Sequence, residues 1–128
     1  MLARLNQRIS RSDRQGGFTL IELLVVIIII GILLAIAVPS YMKFRDRASD
    51  SAAKANVRAS IPGIEAFYAD QGTYAGMTLS FLQTNYDQGI KNITIPTATS
   101  STYCVESVVG GKTWRKNGPA ADLENTNC

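Results

Sequence analysis

At 128 residues the chain has room for one domain at most, and its 46% hydrophobic content is concentrated near the N-terminus, which excludes an ordinary soluble protein. The net charge of +3 is equally uneven: residues 1–17 hold Arg4, Arg8, Arg11 and Arg14 against Asp13, whereas from Phe18 onward nine basic and nine acidic side chains balance. A neutral body argues against a strong nucleic-acid surface, which needs a basic patch on the folded domain. The nearest approach to one, Lys112, Arg115 and Lys116, reads as a solvated turn.

The first fifteen residues are polar and Arg-rich, and Gly16-Gly17 breaks local structure. The apolar run FTLIELLVVIIIIGILLAIAV follows at once: 21 residues from Phe18 to Val38 with one charge, Glu22. As a helix it is about 31 Å long, close to the roughly 30 Å hydrocarbon core of a bilayer. Three readings compete. One is an uncleaved membrane anchor. The second is a secretory signal peptide, with Ala35-Ile36-Ala37 as its cleavage box. The third is a leader removed before the apolar run, which leaves the membrane helix in the mature protein.

Glu22 is the informative residue. A carboxylate at membrane depth costs about 2.5–3.5 kcal/mol on insertion scales, so an intramembrane acid points to a function. The run contains no Lys, Arg or His. The cation on offer is the α-amino group that cleavage before Phe18 would create, one helical turn away. The plain alternative is an acid near enough to the interface to stay hydrated. Gly31 and Ala35 form a small-xxx-small pair that permits close helix approach. Pro39 removes one backbone hydrogen bond at the exit of the segment, where a kink or local melting is allowed.

The helical pattern continues beyond Pro39. At about 100° per residue, Tyr41, Phe44, Ala48, Ala52, Ala55 and Ala59 share one face. Val57, Ile61, Ile64 and Tyr68 share nearly the opposite one. The bulky stripe is expected to cover the protein's own sheet, and the alanine stripe suits close helix contact or, more simply, reflects good helix formers facing water. Pro62-Gly63 is expected to interrupt this helix, and Asp70-Gln71-Gly72 to end it. A connecting loop anchored by Leu79, Phe81 and Leu82 then runs to about residue 88. Strands are expected at Ile90–Ile95, Thr102–Val109 and Lys112–Lys116, the last two joined by a Gly110-Gly111 turn.

Cys104 and Cys128 are the only cysteines. In a chain with a membrane segment and a cysteine at its end, a disulfide in an oxidising compartment is expected, with two free thiols as the alternative. The loop is worth about 3–3.5 kcal/mol in the chain-entropy account.

Catalysis finds no support. Histidine is absent, and there is no phosphate loop, metal-type cysteine cluster or nucleophile elbow. No catalytic, cofactor or metal residues are therefore assigned. The oxygen-rich set Asp122, Glu124, Asn125 and Asn127 has generic spacing and reads as a hydrated tail rather than a calcium site. The sequon Asn92-Ile93-Thr94 and the hydroxyls of Thr97, Thr99, Ser100 and Ser101 are weak glycan positions.

The string GG-FTLIELLVVIIIIGILLAIAVPSY resembles the N-terminus of type IV pilins and the type II secretion pseudopilins. The resemblance is specific over residues 16–41. It implies cleavage between Gly17 and Phe18 by a prepilin peptidase, N-methylation of Phe18, and an assembly role for Glu22, with Gly31 and Pro39 at the family's helix-weakening positions. It divides the chain into a leader at 1–17, a transmembrane and assembly segment at 18–39 and a globular pilin domain at 40–128. The expected fold is α+β, a long N-terminal helix, membrane-spanning in its first half, packed on a small antiparallel sheet. The expected partners are further copies in a helical fibre, cytoplasmic-membrane lipid, the peptidase and the assembly machinery. The implied role is a fibre subunit serving adhesion, motility or DNA uptake, held in the membrane first and extracellular afterwards; the alternatives are a secretion pseudopilin or a membrane-anchored domain that never polymerises.

Overall fold

The computed structural model describes residues 19–128; the leader and the Gly17–Phe18 junction lie outside the described residues. Helix α1 spans Leu20–Gln71, 52 residues without a break. The chain forms two compact units, one ending at Met42 and the other running from Lys43 to Cys128, and α1 contributes to both.

In the first unit the helix is all surface. Every Leu, Ile and Val from Leu20 to Val38 is at least 46% exposed. Pro39 does not end α1, and the Ser40 hydroxyl donates to the Ile36 carbonyl at 3.1 Å.

In the second unit α1 carries a buried stripe of Ala53, Val57, Ser60, Ile64 and Phe67. This corrects the bulky stripe expected at Val57, Ile61, Ile64 and Tyr68 by about 50° of helix rotation. Ile61 is half-buried, and Tyr68 is 39% exposed and stacks on Tyr74 with ring centroids 4.5 Å apart. Size misled the expectation: small residues let the chain approach α1 closely, and Gly63 is buried where Ile90 touches it. Pro62 and Gly63 do not interrupt α1. Pro62 lies on the exposed face, and the helix is held by its contacts on the other. The helix ends at Gly72, whose φ of 69° is the left-handed cap conformation and whose N–H donates to the Tyr68 carbonyl at 2.8 Å.

The loop expected to follow contains a short helix, α2 (Leu79–Asn85), started by Thr78, whose hydroxyl accepts from the Phe81 N–H. Leu82 is its fully buried anchor. The sheet is an antiparallel meander of β1 (Thr94–Ala98), β2 (Tyr103–Val109), β3 (Lys112–Gly118) and β4 (Leu123–Glu124). The first strand starts later than Ile90. Ile90 and Ile93 are buried loop anchors, and Asn92 between them takes a left-handed φ of 57° that a strand cannot hold. Pro96 is tolerated because β1 is an edge strand with an irregular register between Thr94 and Thr97. Gly110 and Gly111 both have positive φ, as a two-residue hairpin turn requires. The two-residue strand β4 lies in a tail that carried no strand signal.

The core of the second unit joins Val57, Ile64 and Phe67 of α1 to Tyr74, Met77, Leu82, Ile90, Ile93, Tyr103 and Val105. Gly118 closes one end of it, because a Cβ there would run into the buried Tyr103 ring. Gly118→Ala should therefore lower the stability of the full chain in detergent by about 1–3 kcal/mol. Gly31→Ala, where nothing lies within 4 Å, should leave it unchanged. Equal denaturant midpoints for the two variants would contradict the packing assigned to Gly118.

Candidate functional site

Two regions carry the residues that the sequence singles out, one in each unit. In the first unit, Glu22 sits in the opening turn of α1, exposed to its surroundings. Its N–H donates to the Thr19 hydroxyl at 3.2 Å, so Thr19 is the cap and Glu22 the third helical residue. Thr19-Leu20-Ile21-Glu22 is the pattern of a capping box, a signal the sequence reading missed. Glu22 thus has a local role at the positive end of the helix dipole, apart from any partner outside the described residues. Beyond it, α1 is the one helix among the described residues long and apolar enough to cross a membrane. Gly31 has open space where a Cβ would stand, so other helices have room to approach there.

In the second unit the stretch Phe44, Ala48, Ala52, Ala55 and Ala59 is exposed throughout, with Phe44 at 70%. The alanine stripe therefore faces away from the core, and the buried stripe holds the sheet. Three side-chain links fix that side. The Trp114 indole N–H donates to the Asp50 carboxylate at 2.8 Å, and the Lys54 ammonium lies 4.7 Å above the same ring. Asn56 donates to the Ser107 hydroxyl at 3.2 Å, which donates in turn to the Asn92 carbonyl at 2.6 Å. The last bond rationalises the buried Ser107 and steadies the left-handed Asn92. None of these links was legible in the sequence, because each joins residues far apart in the chain.

Cys104 and Cys128 are bonded, with Cα atoms 6.0 Å apart. The tail has further ties. The Cys128 N–H donates to the Glu106 carboxylate at 2.7 Å. Arg115 donates twice to one Glu124 oxygen, at 3.0 and 2.7 Å, and once to the Asn127 carbonyl at 2.8 Å. Lys116 donates to the Ala121 carbonyl at 2.7 Å. Two of the three residues read as a solvated turn are therefore spent on holding the tail. Glu124, considered for calcium, has its carboxylate on Arg115, and among the described residues no group of three or more His, Cys, Asp or Glu side chains could hold a metal ion. An open cleft of about 500 Å³ runs beside the disulfide, lined by Thr97, Thr102, Asn117, Pro119 and Ala120 among others.

Inside the unit, Tyr74 donates to both oxygens of Glu65 at 3.1–3.2 Å. Burial first, and then the neighbouring carboxylate, push its phenol up to about 12. Tyr103, packed 4.8 Å from Tyr74, is raised further by burial, and its hydroxyl has no hydrogen-bond partner among the described residues. Both rings act as neutral core residues.

The chain is similar in sequence to known proteins. The prokaryotic N-terminal methylation motif matches residues 12–38. The type IV wide pilus major component PilA4 of Thermus thermophilus is 32% identical over 114 residues, 87% of this chain and 87% of its own length. The chain belongs to the type IV pilin family. Other relatives match this pilin over shorter stretches. The type IV major pilin protein PilA of Myxococcus xanthus is 45% identical over 69 residues, 53% of this chain and 31% of that protein. The type II secretion system core protein G of Pseudomonas aeruginosa is 39% identical over 61 residues, 48% of this chain and 43% of that protein. The pilin's helix-and-sheet architecture is that expected from its N-terminal motif.

Proposed function

We propose that this chain is a structural subunit of a type IV pilus. It is made as a prepilin, cleaved between Gly17 and Phe18, N-methylated on Phe18 and stored as a single-pass membrane protein. It then polymerises through its N-terminal helix into an extracellular fibre serving adhesion, motility or DNA uptake. The leader would be residues 1–17, the assembly segment 18–39 and the exposed domain 40–128. The similarity to the Thermus pilus component over 87% of both chains carries this reading, because it includes the globular domain. The similarity to the secretion core protein stops short of two thirds of either chain, so the pseudopilin reading is the weaker.

The apolar helix supports the same role. A helix exposed on every side has to be covered, by lipid in the stored subunit and by neighbouring helices in the fibre. The decisive test is the mass and N-terminal sequence of the protein from purified fibres. They should show a chain starting at Phe18 with one added methyl group. A start at Val38 would establish the secretory-peptide reading and end this one.

A further inference from the structure

The charges of the second unit are sorted by position. Residues 43–58 hold Lys43, Arg45, Arg47, Lys54 and Arg58 against Asp46 and Asp50, whereas residues 59–111 hold Glu65, Asp70, Asp87 and Glu106 against Lys91. At about 100° per residue, Lys43, Arg47, Lys54 and Arg58 fall within about 60° of one another, a stripe about 22 Å long on one face of α1. Lys112 joins it from β3, beside Arg47 in a cleft shared with Asp46, Asp50 and Asn125. Asp50 is already spent on the Trp114 indole. Lys54 and Arg58 stand four residues apart with no acid within a turn of Arg58, a like-charge spacing that weakens a helix locally. The one ion pair among the described residues, Arg115 with Glu124, satisfies none of these bases. The far end of α1 is unfavourable in the opposite sense. Its last turn carries Asp70 and no base, at the negative end of the helix dipole. The Tyr86 hydroxyl donates to Asp70 at 2.7 Å and so draws the next residue, Asp87, to the same end. Both carboxylates are exposed, and each uses one oxygen within the chain, Asp87 on the Gly89 N–H at 2.7 Å. Asp70 lies about 120–180° around the helix from the stripe and about 18 Å beyond Arg58 along it.

We propose that the basic stripe of one subunit docks on the Asp70 and Asp87 end of a second copy, shifted along the helix axis. The proposal rests on the fibre reading above and adds the contact between globular domains. A polyanion would engage the stripe and leave the acidic end unmatched, whereas a second copy offsets both local costs at once. The two surfaces lie on different sides of α1, so the contact is head-to-tail and each copy keeps a free surface for the next. Such a contact generates an open polymer rather than a closed dimer. The offset it requires between copies runs from about 18 Å, with Arg58 at Asp70, to about 40 Å, with Lys43 there.

Carbodiimide, which joins a carboxylate directly to an amine, tests the wild-type fibre. Lys54 and Asp70 are about 24 Å apart on one unbroken helix, so a direct link between them joins two copies. The expected product, read by mass spectrometry of digested fibres, links Lys43 or Lys54 to Asp70 or Asp87. Charge reversal is the second measurement. R47E/R58E and, separately, D70K/D87K should each cut fibre yield about tenfold or more, because like charges then face each other. Co-expressing the two variants should restore fibres in which they alternate, since each presents the surface that the other lacks. Links from these acids to other lysines alone, or full fibre yield from either reversal by itself, would overturn the contact. So would a failure of co-expression to restore fibres when both variants reach the wild-type level in the membrane pool. Full fibre yield from R47E/R58E with loss of bound DNA would overturn it as well and assign the stripe to a polyanion. If a reversal depletes the membrane pool, the wild-type links decide. A wild-type chain that makes no fibre refutes the pilus reading itself, whereas fibres without these links refute only the contact.

Discussion

Replacing Glu22 by alanine is expected to remove fibres while leaving the membrane pool at or above the wild-type level. In the stored subunit the carboxylate is an expense in an apolar segment, so deleting it should not harm insertion. In the proposed fibre it would meet the Phe18 amine that the proposed cleavage creates on a neighbour, and a subunit one turn out of place would leave both charges unpaired among apolar helices. Removing one partner of a buried pair costs about 3–5 kcal/mol. Alanine also disturbs the helix start, because Glu22 follows its Thr19 cap in the capping-box position. Glu22→Gln separates the two effects: glutamine suits that position equally well but carries no charge. If charge pairing sets the register, both variants fail to assemble. If capping matters, only alanine fails. The measurements are immunoblots of the membrane fraction and counts of sheared fibres. Normal fibre yield from the glutamine variant would sink the pairing idea, and a depleted membrane pool would show an insertion defect instead.

Cys128→Ala should lower the stability of the solubilised chain by about 2–4 kcal/mol. The disulfide closes a loop with a sequence separation of 24 and acts chiefly by restricting the unfolded chain. The folded tail has its own attachments, in Glu106 to the Cys128 N–H and Arg115 to Glu124 and Asn127. The variant should therefore keep its native tail while losing stability. Urea denaturation, with hydrogen exchange at residue 128 as a local readout, tests both halves. A stability change below about 1 kcal/mol would contradict the loop-closure account. A tail amide that exchanges freely under native conditions would show that the non-covalent ties do not suffice. A less stable domain should also yield less fibre, through degradation of the subunit.

The sequence by itself determined the features that rest on local or compositional physics. An unbroken apolar run with one acid predicts a membrane-length helix wherever it sits, because hydropathy needs no partner. The paired glycines at 110 and 111 specify a hairpin through backbone freedom alone. The alanine face was readable from helical spacing, since it has to make no contact within the chain. The tertiary structure decided which opposite face is buried. The face with the largest side chains lost to the one containing Ala53, Ser60 and Gly63, because close packing rewards fit rather than size. It also moved β1 past Ile90, since burying Ile90 and Ile93 as loop anchors left no extended backbone around Asn92. The roles of Asp50, Asn56, Glu106 and Arg115 had no local signature. Each is defined by a hydrogen bond to a residue distant in the chain, and the fold alone brings such partners together.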